Sequence, residues 1–291
     1  MKNLNIFCFG FGQVAKNFIK KIKLENFNIN LTTTSRSKTH KEKFNGISYT
    51  SFELNQNNYD QKLIEKLLVS DHILVSIPPI NGTDLVFKNF SKIIENSNSK
   101  WITYLSATNV YGDHKGKWVN ENSELRPNSL KGKLRLVTEN LWLSLYLKKK
   151  IPLQIFRLSG IYSNENNILK RLISGNIKII KKKNHFFSRI HVDDISNILF
   201  SSLTKFKSGE IFNISDDKPA SLEDVIMHGV KILGAKKPKN IKIEDIQNEN
   251  LKNFYKETKK VNNKKMKVFF NYNLKFPTYA EGLNYIKDHF K

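Results

Sequence analysis

Residues 4–9 (LNIFCF) form a short apolar run, and Gly10-Phe11-Gly12-Gln13-Val14-Ala15 follows it at once. Val14, Phe18, Ile19 and Ile22 then recur three and four apart, the period of a helix with one apolar face. A strand apolar on both faces, a glycine turn and a helix, in that order, point to a sheet covered on both sides. The turn also carries chemistry, because G-x-G-x-x-A is the pattern that brings a backbone against a dinucleotide pyrophosphate. Gly10 makes the tight turn, Gly12 leaves no side chain between backbone and phosphate, and Ala15 lets the helix pack closely on the strand. The helix start, at Gln13 and Val14, offers free N–H groups and a positive dipole end to the anion. Gly10, Gly12, Gln13 and Val14 are therefore the expected pyrophosphate-binding residues.

The end of the next strand bears on which dinucleotide is held. Residues 28–34 (NINLTTT) read as a strand followed by Ser35-Arg36 and Lys38, with no carboxylate before Glu42. An NAD site of this type usually places an acid about 20 residues past the glycines, on the ribose hydroxyls. Ser35 and Arg36 suit a 2′-phosphate instead, through charge-assisted hydrogen bonds. The expectation is NADP(H) in preference to NAD(H). Further on, residues 71–77 (DHILVSI) read as a buried strand closed by Pro78-Pro79, which continue neither a ladder nor a helix. Ligands of open α/β sheets lie at the carboxyl ends of strands, so Ser76, Ile77 and Pro78 are expected to line the crevice.

Strands at 46–52, 101–106 and 151–158 alternate with helices at 59–68, 85–94 and 128–149. That alternation defines an α/β chain with a Rossmann-type, doubly wound parallel sheet. The remainder is less regular. Helices are expected at 168–174, from 191 to 203, at 221–233 behind a Ser-x-x-Asp capping pattern, and at the end of the sequence. Short strands are expected at 177–180 and 210–214.

With 291 residues the chain can bury a large core. Its net charge of +23 comes from lysines scattered in short groups rather than from a basic tail or stripe, so no nucleic-acid partner is expected. No run approaches the ~18 apolar residues needed to cross a bilayer, and the opening strand lacks the layout of a signal peptide. The single cysteine, Cys8, lies within that strand, which rules out a disulfide inside the chain and makes the cytoplasm the expected compartment. No metal-ligand cluster is expected.

Several stretches together resemble the short-chain dehydrogenase/reductase superfamily, in its extended, NAD-dependent epimerase/dehydratase form. They are GFGQVA, LSATNVYG, RLSGIYS, RIHVDD, EIFNISDD, and YKETKKVNNKKMK followed by FPTYAEGL, in the family's order and over nearly the whole chain. The G-x-G-x-x-A turn is similar to that of an atypical, nucleoside-diphosphate-sugar epimerase-like subgroup. The resemblance implies a dinucleotide-binding domain over 1–161 and 189–214, and a small C-terminal substrate lobe over 162–188 and 215–291. It also implies an NAD(P)-dependent oxidoreductase or isomerase acting on a small hydroxylated or sugar-like substrate, able to form a homodimer.

The family's catalytic trio is absent here. Its Ser or Thr, five before the Gly of VYG, is Ala107. Its Tyr and Lys, anchored on Glu139, are Lys131 and Arg135. Lys131 is then the group at the reacting position able to move a proton, if burial and Arg135 lower its pKa. Thr108 can supply a hydroxyl one residue late, and Arg135 can reach the nicotinamide ribose. Ser106 and Ser159, at strand ends, are expected beside the cofactor, and Tyr111 and Arg189 beside the substrate. The other reading is a catalytically silent NADP(H) sensor or scaffold that lacks the Ser/Tyr/Lys trio.

Overall fold

The computed structural model describes residues 3–290. In chain order, β1 (Asn3–Phe9), α1 (Gln13–Leu24), β2 (Asn28–Ser35), β3 (His40–Phe44), β4 (Ile47–Glu53), α2 (Leu63–Leu68), β5 (His72–Val75), α3 (Leu85–Glu95) and β6 (Trp101–Ala107) come first. A 3-10 turn (Thr108–Tyr111), β7 (Trp118–Val119), α4 (Leu130–Lys149), β8 (Leu153–Leu158), β9 (Gly160–Tyr162), α5 (Ile168–Ile173), β10 (Ile179–Ile180), β11 (Arg189–His191), α6 (Val192–Ser201) and β12 (Ile211–Ile214) follow. The last elements are α7 (Leu222–Leu233), β13 (Asn240–Ile241), α8 (Glu249–Lys256), β14 (Lys260–Val261), α9 (Lys264–Phe270) and α10 (Tyr279–Asp288).

The chain divides into two compact units. The first takes the sequence up to Ala107, then Lys133–Arg157 and Ile195–Phe212; the second takes Thr108–Gly132, Leu158–Asp194 and Asn213 onward. The segment carrying Thr108, Tyr111 and Lys131 thus groups with the second unit.

The first unit is built on the main sheet, ordered β12-β8-β6-β5-β1-β2-β4-β3. β1 pairs in parallel with both β2 and β5, β2 with β4, and β5 with β6. The chain runs outward from β1 on one side, then returns to β5 on the other, so the strand order reverses beside β1. Cys8 stands opposite Thr33 and Phe9 opposite Val75, which brings Gly10, Thr34 and Ser76 out at one end of the sheet. β3 departs from the sequence reading. His40–Phe44 (HKEKF) is highly charged, yet it forms the antiparallel edge strand against β4, with Glu42 opposite Tyr49. An edge strand buries little and tolerates charge, so no apolar alternation marks it.

Phe7, Phe9, Ile73, Val75, Phe90, Ile102, Tyr104 and Trp142 are fully buried in this unit's core. Some of the polar groups inside it are paired. Arg157 and Glu139, almost wholly buried, meet at 2.7 Å, and Trp101 Nε1 donates to Ser202 Oγ at 3.0 Å.

The second unit has its own core, in which Ile168, Leu169 and Leu172 of α5 meet Val225 and Ile226 of α7 and Leu283 and Ile286 of α10. α7 starts with the expected capping box between Ser221 and Asp224 and ends on Gly234 in the left-handed region. His191 Nδ1 accepts the Asp193 N–H at 3.2 Å, while Asp194 accepts from Tyr272 Oη at 2.8 Å and from the Lys275 and Phe276 N–H groups.

Candidate functional site

The first unit contains a cavity of about 1020 Å³ at the carboxyl ends of its strands. Gly10, Phe11, Gly12, Ser35, Arg36, Ser76, Ile77 and Pro78 all line it. Gly10 is held at φ +82°, and a Cβ there would lie 3.0 Å from both Ile77 Cγ1 and Ser76 Oγ. The Gly10 N–H donates to Thr34 Oγ1 at 2.9 Å, and the Ser76 hydroxyl donates to the Phe9 carbonyl at 2.9 Å. The ends of β1, β2 and β5 are thereby tied together around a turn that only glycine fits.

Gly12 differs in kind. It is the N-cap of α1, with φ −82° and ψ −167°, and a Cβ there would meet nothing within 4 Å. The space beside it is open, the first turn of α1 holds no acid, and Lys16 lines the same cavity. Amide donors, dipole and lysine together favour an anion at this point. Phe11, between the two glycines, packs on Phe44 (5.4 Å between ring centres) and Tyr49 (5.1 Å), which seats the turn against β3 and β4. Gln13 opens α1, whereas Val14 is among that helix's buried residues and faces the core.

β3 changes the reading of the adenosine end. By folding back on β4 it sets Glu42 and His40 along the cavity that Ser35 and Arg36 also line. The Tyr49 hydroxyl donates to Glu42 Oε2, and His40 Nε2 stands 3.2 Å from Glu42 Oε1. The Tyr49 hydrogen bond, then that from His40, hold the Glu42 carboxyl below its ordinary range, so it is ionised at neutral pH. A fixed carboxylate repels a 2′-phosphate and accepts from ribose hydroxyls. Ser35 Oγ is buried with no hydrogen-bond partner among the described residues.

The second unit contains a cavity of about 510 Å³, lined by Thr108, Asn109, Ser129, Lys131, Phe186, Glu257 and Lys259 among others. A close approach shapes it: a Cβ on Gly132 would fall 2.8 Å from the Asn109 carbonyl oxygen. Thr108 and Lys131 are thus brought to one cavity, as expected. Lys131, however, is exposed, and the burial on which its proton-transfer role depended is missing. Tyr111 does not border a ligand space. It is fully buried, and its hydroxyl donates to Asn213 Oδ1 at 2.7 Å within the core. Arg189 lines a different hollow of about 240 Å³, with Arg171, Asn167 and Tyr279. Its Nη1 donates to the Phe187 and Ala220 carbonyls at 2.9 and 3.1 Å, and burial lowers its pKa to about 10 against the pull of Asp216.

Arg135 donates from Nη1 to the Leu105 carbonyl at 2.8 Å, within the first unit. Ser106 in the first unit and Ser159 in the second are buried, each with an Oγ lacking a partner among the described residues. The sequence reading missed Lys16, His40, Glu42 and Tyr49 of the first cavity, and Asn109, Ser129, Glu257 and Lys259 of the second. Among the described residues no cluster of metal-ligating side chains occurs, and no helix is long and apolar enough to cross a membrane.

The sheet order, the glycine turn at its switch point and the C-terminal helical unit define the fold class, an α/β chain with a Rossmann-type, doubly wound parallel sheet. A solved structure of a functionally unknown conserved protein from Silicibacter pomeroyi DSS is similar at 27% identity, with a TM-score of 0.85 over 99% of both chains. UDP-glucuronic acid 4-epimerase from Bacillus cereus, in complex with NAD, is similar at 17% identity and a TM-score of 0.76 over 100% of both chains. dTDP-glucose 4,6-dehydratase from Bacillus anthracis, also in complex with NAD, gives 19% identity and a TM-score of 0.74 over 99% of this chain and 96% of that one. No protein-family model matches the sequence, and no curated protein sequence matches it. The expected preference for NADP(H) is corrected by these findings. The two sugar-nucleotide enzymes just described are each bound to NAD, and Glu42 lines the cavity where a 2′-phosphate had been expected.

Proposed function

We propose that the chain is an NAD(H)-binding oxidoreductase of epimerase/dehydratase type acting on a small hydroxylated, sugar-like substrate. The observation that carries this reading is the open space at Gly12, where the start of α1 meets a cavity large enough for a dinucleotide. Gly12 and Lys16 would hold the pyrophosphate, and Glu42 and Ser35 the adenosine ribose. Ser76, Ile77 and Pro78 would form the wall at the end of β5. Bound there, the nicotinamide supplies a reversible hydride acceptor. Thr108, Asn109, Ser129 and Lys131 would offer hydroxyl, amide and ammonium groups to a hydroxylated substrate in the second unit's cavity, and in the first unit Ser106 of β6 and Arg135 of α4 would serve the cofactor.

Titration with NADH, read by energy transfer from tryptophan, tests the first half of this reading. Absorbance of reduced nicotinamide over a panel of alcohols and nucleotide sugars with NAD⁺ tests the second. A specific observation also favours a silent NAD(H) sensor or scaffold: Ala107, Lys131 and Arg135 replace the family trio, and Lys131 is exposed. Tight NADH binding with no turnover across the panel identifies that second reading.

A further inference from the structure

The second unit's cavity contains a lysine with the burial that Lys131 lacks. Lys259 has a side chain only 13% exposed, and Glu257 beside it is 11% exposed. Both line the cavity that Thr108, Asn109, Ser129 and Lys131 also line. Lys259 Nζ donates to the Gly112 carbonyl at 2.9 Å and to Glu257 Oε2 at 3.2 Å. An ammonium has three donors, so one remains beyond these two bonds. The second carboxylate oxygen, Glu257 Oε1, has no hydrogen-bond partner among the described residues, and neither does Asn109 Oδ1 in the same cavity wall. Buried polar atoms are rarely left without partners unless a ligand or water completes them. The cluster is held firmly: the Glu257 carbonyl accepts from His185 Nε2 at 3.0 Å, and the Thr258 N–H donates to Asp113 Oδ1 at 2.9 Å.

We propose that Lys259, paired with Glu257, is the proton-transfer group of this cavity. The proposal rests on the reading above that the substrate is hydroxylated. In one direction the substrate O–H bond breaks, the proton joins the lone pair of neutral Nζ, and the electron pair stays on the substrate oxygen. The ammonium so formed is neutralised by the Glu257 carboxylate. In the other direction the ammonium returns its proton to the same oxygen. Burial lowers the Lys259 pKa from the ordinary lysine range, and the charges of Glu257 and Asp113 act against that shift. Lys131, which lines the same cavity, and Lys182, which acts on Asp113, are further charged groups near the pair. A buried lysine of this kind is the usual form of a catalytic amine.

Trace labelling with acetic anhydride across pH, read peptide by peptide in a mass spectrometer, tests this on the full chain without substrate or dinucleotide. The expected result is that Lys259 acetylates with a titration midpoint below that of the surface lysines, and that Glu257→Gln moves this midpoint lower still. Lys259→Arg removes the labelled site and serves as the assignment control. A Lys259 that titrates with the surface lysines, or that stays unlabelled at every pH, overturns the proposal. So does a midpoint that Glu257→Gln leaves in place. Because no dinucleotide is used, a failure here is separate from a failure of NADH binding.

Discussion

Replacing Gly10 and Gly12 one at a time separates what the fold requires from what a ligand requires. At Gly10 the backbone has φ +82°, and a Cβ would press on Ile77 Cγ1 and Ser76 Oγ at 3.0 Å each. A side chain in the left-handed region costs about 1–2 kcal/mol, and displacing two packed neighbours adds about 1–2 kcal/mol. Gly10→Ala is therefore expected to lower stability by roughly 2–4 kcal/mol. Gly12, at φ −82° with nothing within 4 Å of a Cβ, has neither constraint. Gly12→Val should unfold within about 1 kcal/mol of the parent chain, the loss at the cap being offset by a less flexible unfolded state. It does fill the open space at the start of α1. Loss of one hydrogen bond to a charged group, worth about 1.5–3 kcal/mol, reduces NADH affinity on the order of 10- to 100-fold. Urea denaturation and NADH titration of both variants give the two readouts. Gly12→Val unfolding as early as Gly10→Ala, or binding NADH like the parent chain, refutes the reasoning.

Three further outcomes follow from buried or cavity-lining charges. Glu139→Gln replaces the carboxylate that faces buried Arg157 with a neutral amide, and should cost roughly 3–5 kcal/mol in urea unfolding; a loss under about 1 kcal/mol means the pair is not buried as described. Burial among Tyr162 and Phe276 pushes the His191 pKa down to about 4, with Asp193 acting the other way. The unfolded chain then takes up that proton first, so stability falls as pH drops from about 6.5 and the loss is complete below about 4, amounting to about 3 kcal/mol. His191→Phe should flatten this limb of the stability curve, and an unchanged slope would show that His191 does not cause it. Finally, Glu42→Gln removes the carboxylate that lines the first cavity and should narrow the difference between NADH and NADPH affinities; an unaltered ratio removes Glu42 from cofactor choice.

Much of the first unit was legible because β5, β6 and β8 are buried on both faces, so that apolar runs, glycines and Pro78-Pro79 mark strand ends. Gly10, Gly12, Ser35, Arg36 and Ser76 to Pro78 were read in this way from the ends of β1, β2 and β5, and all of them line the first cavity. Glu42 was visible but misplaced. HKEKF has no apolar period, and its return to the cavity depends on the pairing of β3 with β4. Lys131 was read as buried and is exposed, while Lys259 was passed over and is largely buried, for a similar reason. A helical position tells which residues follow one another around the axis, not how much chain covers them. Lys259 donates to the Gly112 carbonyl and feels the charge of Asp113, both about 145 positions away in sequence, and no local pattern records those contacts. Tyr111 read as a pocket residue because it follows a strand end, yet its hydroxyl completes Asn213 in the core.

Titration of the unmodified chain with NADH and NADPH under identical salt and pH tests the central claim most directly. Saturable one-site binding of NADH, tighter than that of NADPH and weakened by Gly12→Val, is the expected result. NADPH binding as tightly as NADH would contradict the role given to Glu42, and no NADH binding at all would contradict the reading of Gly10-Phe11-Gly12 as a dinucleotide site.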